Sequence, residues 1–222
     1  MARLLADEIA ARLSRAIDQR GEAVVALSGG STPADLYGEL SGRDLDWSRV
    51  TVLLVDERWV APGEEGSNES FIRDCLQRDK AVDVKIIGMW SDAPSAAAGL
   101  DDAASRYGAA ASPCDAVVLG MGADGHTASW FPHAKGLDRA LAANGPPLAA
   151  VTAVKSVVTG NHLERMTLTL SAVGEAAFIC LLMTGAEKRA VFEQAAEDRS
   201  VEDMPVRAIM RARPDMLACW AP

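Results

Sequence analysis

The chain has 222 residues, 49% of them apolar, which is enough to bury the core of one α/β domain spanning residues 1–222. Its net charge of -9 leaves no basic footprint for a nucleic acid, so an anionic ligand must be drawn in by local groups and not by the global field. The four cysteines, Cys75, Cys114, Cys180 and Cys219, form no C-x-x-C pair, which argues against a zinc or redox motif and fits a cytoplasmic, reducing setting.

Residues 3–20 carry Leu4, Leu5, Ile9, Leu13 and Ile17 at helical spacing, with charged residues between them. They predict an amphipathic helix that Gly21 ends. Asp7, Glu8 and Asp18 argue against a signal peptide, and no segment is long and apolar enough to span a membrane. Ala23–Leu27 reads as the first core strand. Ser28-Gly29-Gly30-Ser31-Thr32-Pro33 follows and runs into a helix from Ala34. Two glycines, two hydroxyls and the free N–H groups of a helix start predict an anion cradle that suits a phosphate. The G-K-[ST] ending of a Walker loop is absent, and Ser31 lacks the glycines of a nucleophile elbow.

Residues 50–55 predict a second strand, which empties into Asp56-Glu57-Arg58-Trp59 at the same rim. Ser67 or Asn68 is positioned to cap the next helix. Residues 84–89 predict a third strand, and 95–110 an alanine-rich helix.

Residues 115–132, DAVVLGMGADGHTASWFP, are the stretch around which the rest is organised. A short apolar strand is broken by Gly120 and Gly122, and Asp124, Gly125 and His126 follow in a tight loop. The carboxyl end of a buried strand is where open α/β sheets place ligands. Thr127 or Ser129 is expected to cap a short helical turn that Phe131-Pro132 ends. Gly120, Gly122 and Gly125 match the spacing G-x-G-x-x-G. Pro132 stops any long helix, however, and no acidic strand end follows at about 20 residues, so no nicotinamide or flavin is expected.

Beyond this loop, Ala149–Val154, the alternating Arg165–Leu170, the apolar run Ala176–Met183 and Met216–Trp220 predict strands. Lys188 falls in the first turn of a helix opening at Ala186, where a cation suits the helix dipole only if an anion is near. Strands alternating with helices predict a three-layer α/β/α fold with a mainly parallel central sheet. His126, His133 and His162 lack metal-ligand spacing, and no cofactor is implied.

Four segments together, LSGGSTP, VDERWV with a following SNE, GMGADGHTASWFP, and RMTLTL with TGAEK, resemble the 6-phosphogluconolactonase family. The resemblance runs from about Ser28 to Lys188. It implies the α/β fold shared with glucosamine-6-phosphate isomerases and hydrolysis of a phosphorylated sugar lactone, a small molecule, by a monomer or weak homo-oligomer. It also implies a general base at His126 oriented by Asp124, with Arg58 facing the lactone carbonyl. Substrate and phosphate contacts would come from Ser28, Gly29, Gly30, Ser31, Thr32, Asp56, Gly122, Arg165 and Lys188. An amino-sugar phosphate deaminase/isomerase is the related alternative. That group is similar at the phosphate loop and at Asp-Gly-His, but it uses a glutamate where this chain has Phe131 and usually a tyrosine where it has Arg58. A sugar-phosphate-sensing module without turnover is the alternative from another class.

Overall fold

The computed structural model describes residues 1–108 and 113–222. The elements in chain order are α1 (Ala2–Arg20), β1 (Ala23–Leu27), α2 (Ala34–Ser41), β2 (Val50–Leu54), β3 (Asp56–Arg58), α3 (Asn68–Leu76), β4 (Lys85–Ile87), α4 (Leu100–Gly108) and β5 (Ala116–Gly120). Then come α5 (Leu137–Ala140), β6 (Leu148–Thr152), β7 (Glu164–Leu168), α6 (Leu170–Gly174), β8 (Ile179–Thr184), α7 (Gly185–Ala195), α8 (Val206–Ala212) and β9 (Leu217–Ala221).

Helix α1 buries Leu5, Ile9 and Leu13 and ends as its sequence dictates. Gly21 takes a left-handed φ of 84° and donates its N–H to the Ile17 carbonyl. Strands β4-β2-β1-β5-β8-β9 form one sheet in which every neighbouring pair is parallel. β1, buried at all five positions, lies near its centre. From β1 the chain winds outward through β2 to β4. The other half, β5, β8 and β9, winds outward from β1's opposite side. Right-handed crossovers in opposite directions put helices on both faces. The strand order therefore reverses between β1 and β5, the crevice where such sheets bind ligands.

Two of the predicted strands lie outside the main sheet, and the rim segment Asp56–Arg58, not predicted as a strand, joins them. β3, β7 and β6 form a separate antiparallel sheet. β2 ends at Leu54 and, one residue later, the chain enters β3. Asp-Glu-Arg has little intrinsic strand preference, so pairing with β7 holds β3 extended. The alternation in residues 165–168 is not a half-exposed face either, because all four are buried.

Other boundaries shift for local reasons. Thr169 ends β7 by capping α6, its hydroxyl accepting from Ala172 N–H, so the predicted strand stops short of Leu170. The apolar run at 176–183 becomes strand only from Ile179. Residues 95–99 form turns, and the helix predicted there begins at Leu100; its predicted end at 109–110 lies outside the described residues. The short helical turn expected at residues 127–132 does not form. Thr127 and Trp130 pair as an isolated bridge, and the Thr127 and Ser129 hydroxyls bond elsewhere.

Helix α8 has no counterpart in the sequence reading, yet it braces the fold. Its Val206 N–H donates to the Gly125 carbonyl. Arg207, 2% exposed, donates to the carbonyls of Gln194, Ala195 and Ser200 at 2.8–3.3 Å, with no carboxylate among its partners. A guanidinium at the carboxyl end of α7 satisfies its orphan carbonyls and suits its dipole. Arg207→Met should cost about 3 kcal/mol, since three buried acceptors lose their donor. For a chain of this size that is a fall in Tm on the order of 9 °C. A calorimetric Tm within 2 °C of wild type would show that the guanidinium bears no weight.

Candidate active site

The carboxyl ends of the parallel strands deliver the site. β1 empties into Ser28–Pro33, β5 into Met121–Ala128, and β8 into the start of α7. β3 adds Asp56 and Arg58, and β7 adds Arg165. Together they line one cavity of about 240 Å³, whose walls include Gly30, Arg58, His126, Phe131, Arg165 and Lys188. Ser28, Gly29, Ser31, Thr32, Asp56 and Gly122 complete the predicted set on its walls, with Asn68 beside them. Asp124 stands behind His126.

The turn after β1 needs its glycines. Gly30 has a φ of 90°, a conformation costly for any side chain. A Cβ on Gly29 would fall 1.9 Å from the Asn68 side-chain oxygen, so that position has no room for one. Tyr37, fully buried, donates its hydroxyl to the Ser28 carbonyl at 2.7 Å and ties the turn to α2.

The loop after β5 is folded around its own backbone. Gly122 N–H donates to the His126 carbonyl and Gly125 N–H to the Gly122 carbonyl. His126 N–H and Nδ1 both meet Asp124 Oδ1, at 3.1 and 2.5 Å. Burial pushes the Asp124 carboxyl up, but its bonds with His126 outweigh that and hold it below the usual carboxylate range. An ionised carboxylate at Nδ1 makes that nitrogen the proton donor and leaves Nε2 as the acceptor. The Phe131 ring packs on the imidazole at 4.3 Å between centroids. Thr127 Oγ1 donates to the Gly120 carbonyl, and Ser129 Oγ to Asp56 Oδ2 at 2.6 Å, which joins this loop to β3. Trp130, fully buried, bonds the Leu168 carbonyl and packs behind the loop.

Arg58 and Arg165 are direct cross-strand partners, which explains how residues so far apart in sequence converge. Like charges so placed repel. Arg165 is nearly buried, and burial pulls its pKa down to about 10, with Asp56 opposing that. It is not a free arm. Nε donates to the His162 carbonyl and Nη2 to the Thr159 carbonyl, and the guanidinium lies 5.2 Å from the Phe131 ring centre. Arg58 donates to the Gly66 carbonyl, while its Nε is buried without a partner among the described residues. Lys188, half-buried in the first turn of α7, has its pKa lowered by that burial. Three cationic side chains thus face one carboxylate, Asp56, in a chain of net charge -9. The local field suits an anion where the global one does not.

The sequence profile of glucosamine-6-phosphate isomerases/6-phosphogluconolactonase matches residues 1–218. The chain belongs to this family. A 6-phosphogluconolactonase of Rhizobium meliloti (strain 1021) is 40% identical over 100% of this chain and 94% of its own length. One from Pseudomonas aeruginosa is 38% identical over 95% and 87%. The crystal structure of a 6-phosphogluconolactonase from Shewanella baltica OS155 superposes with a TM-score of 0.93 at 38% identity, covering 100% of this chain and 93% of that one.

Within the family frame, two residues escaped the sequence reading. Asn68 appears there as a helix cap and within the SNE segment, with no place in the site, although it lies on the cavity wall. The cap itself is Ser67, whose Oγ accepts from Ser70 N–H. Phe131 appears there as a helix stop and as the position of the deaminases' glutamate, but not as a neighbour of the site, although its ring contacts both His126 and Arg165. Each lies in a segment already singled out, but contact across strands has no sequence signature. His133 and His162 are exposed and absent from the cavity wall. Among the described residues no group of three or more His, Cys, Asp or Glu is placed to hold a metal ion, and no helix is long and apolar enough to cross a membrane. A second cavity, of about 300 Å³, is lined by Tyr107, Cys114, Pro147 and Leu168 among others, with Glu175 its one charged residue among the described residues.

Proposed function

We propose that this chain hydrolyses 6-phospho-D-glucono-1,5-lactone to 6-phospho-D-gluconate, in the oxidative branch of the pentose phosphate pathway. The reading is carried by one observation: the Asp124-held imidazole of His126 opens onto the same cavity as the Gly29-Gly30 turn and three cations. The substrate named for the family's curated relatives supports it.

The roles follow from the chemistry. Gly30, Ser31, Thr32 and Lys188 hold the phosphate. His126 Nε2 takes a proton from water as the water oxygen attacks the lactone carbonyl, a step worth about 10²–10⁴-fold. Arg58 meets the oxyanion that develops, because a guanidinium keeps its charge throughout. The ester C–O bond to the ring oxygen then breaks, and the imidazolium returns its proton to that oxygen. Asp124 stabilises the imidazolium between the two transfers. Ser31 serves the phosphate and is not a nucleophile. Asp56, pinned by Ser129, is placed to accept from a sugar hydroxyl. The alternative of amino-sugar ring opening needs an acid–base carboxylate near the His, and Phe131 fills that position with a ring that cannot carry a proton.

The deciding experiment follows the loss of freshly prepared lactone against its spontaneous hydrolysis. A clear rate enhancement, with no ammonia released from glucosamine 6-phosphate, is expected; ammonia release without lactone turnover would reverse the reading. Lys188→Ala should raise KM for the phosphorylated lactone about 10-fold or more, the scale of one charge-assisted phosphate contact. Non-phosphorylated gluconolactone should be affected far less. An equal loss on both substrates would remove Lys188 from the phosphate site.

A further inference from the structure

β3 alternates as a strand must. Asp56 and Arg58 turn to the cavity, and Glu57 turns to the opposite side, toward the start of α3. There it is 1% exposed. Its carboxylate fills both oxygens with donors. Oε1 accepts from Arg58 N–H at 2.8 Å and Asn68 N–H at 2.7 Å, and Oε2 accepts from Glu69 N–H at 2.8 Å and Ser67 Oγ at 3.2 Å. None of these donors is a cation. Burial raises this carboxyl to about 7, against the three backbone N–H bonds.

What the carboxylate holds is part of the site. Asn68, 3% exposed, donates its amide to the Asp56 carbonyl at 2.8 Å and to Asp56 Oδ1 at 3.4 Å. The same amide sits against Gly29 so closely that no Cβ fits between them. Asn68 therefore joins the glycine turn after β1 to the carboxylate of β3. Gly66, whose carbonyl receives the Arg58 guanidinium, lies in the loop that Glu57 closes. A single buried carboxylate thus fixes the backbone of Arg58, the loop carrying Gly66, and Asn68.

We infer that Glu57 is a positioning residue that acts through Asn68, its four-donor clamp setting where the Asn68 amide stands between Gly29 and Asp56. The inference rests on the lactonase reading for its reaction but not for its geometry. Glutamine keeps the shape of Glu57 but turns one acceptor into an NH₂ group that faces N–H donors, so Glu57→Gln loosens the clamp without emptying the space.

The test is a double-mutant cycle of Glu57→Gln, Asn68→Ala and the pair, read in kcat/KM for the phosphorylated lactone and in the calorimetric Kd for 6-phosphogluconate. Each single change is expected to cost about 10-fold or more in kcat/KM, and the pair no more than about twofold beyond the worse single, because residues in one network couple. A purely structural Glu57 would lower Tm and multiply with Asn68→Ala. Losses that multiply, or a Glu57→Gln enzyme within twofold of wild type, overturn the inference. If Glu57→Gln does not fold, Asn68→Ala alone decides. It must lose about 10-fold in kcat/KM with Tm held within about 3 °C, and wild-type kinetics in it overturn the inference. A wild type with no rate enhancement defeats the lactonase reading alone, and the cycle is then judged on Kd.

Discussion

His126→Ala should lower kcat for the phosphorylated lactone by about 100-fold or more, the loss typical of a removed general base, while KM stays near its wild-type value. The imidazole touches neither the phosphate cradle nor the cations assigned to substrate binding. Its polar bond is to Asp124, through Nδ1; the second bond to that carboxylate comes from the His126 backbone N–H, which alanine keeps. Removing it takes away the proton acceptor and leaves Gly30, Ser31, Thr32 and Lys188 in place. A δ-lactone is an activated ester, so the residual rate should still exceed spontaneous opening through Arg58 and proximity. The side chain is 19% exposed, its ring packed on Phe131, and its loss should cost little stability. Wild-type kcat in this variant would take His126 out of the mechanism.

The parts of this site that sequence revealed are those made by a single turn. SGGST after a strand, and GADGH after another, carry their geometry in the chain. Gly30 requires a positive φ, and Asp124 reaches His126 two residues on. Gly21, Ser67 and the spacing of Ile9 and Leu13 were legible for the same reason, since caps and amphipathic stripes are local. The second sheet was not. Nothing in Asp-Glu-Arg announces a strand; it is one because Glu57 and its neighbours pair with Met166 and the residues beside it, more than a hundred positions away. Arg165 lines the cavity, but what holds its guanidinium there is not legible in the sequence. The carbonyls of Thr159 and His162 that hold it belong to the turn around Gly160-Asn161, and no local pattern says which side chain that turn receives. Helix α8 was missed because its key residue is buried yet polar. Arg207 among Val206 and Ile209 reads as a break in an apolar face, when its partners are the carbonyl ends of another helix.

Gly122→Ala should cost nearly as much activity as removing the histidine, although it deletes no functional group. Gly122 does not have a positive φ, so alanine meets no backbone objection. The obstacle is space. An added Cβ would lie 2.1 Å from both Cε1 and Nδ1 of His126 and 2.7 Å from Asp124 Oδ1. The imidazole is already flanked on another side by Phe131, so the ring or its partner carboxylate must move by roughly an ångström, a misplacement that can cost about 100-fold. The fold should hold, because the methyl group pushes side chains at a cavity and not the core; Gly174→Ala, with nothing within 4 Å of its added Cβ, is the matched control. The sharpest form of the test combines Gly122→Ala with His126→Ala. With the ring absent, the methyl group has nothing left to displace except Asp124, so the double variant should be little slower than His126→Ala alone. If the two losses multiply instead, the glycine matters for some reason other than making room for the imidazole.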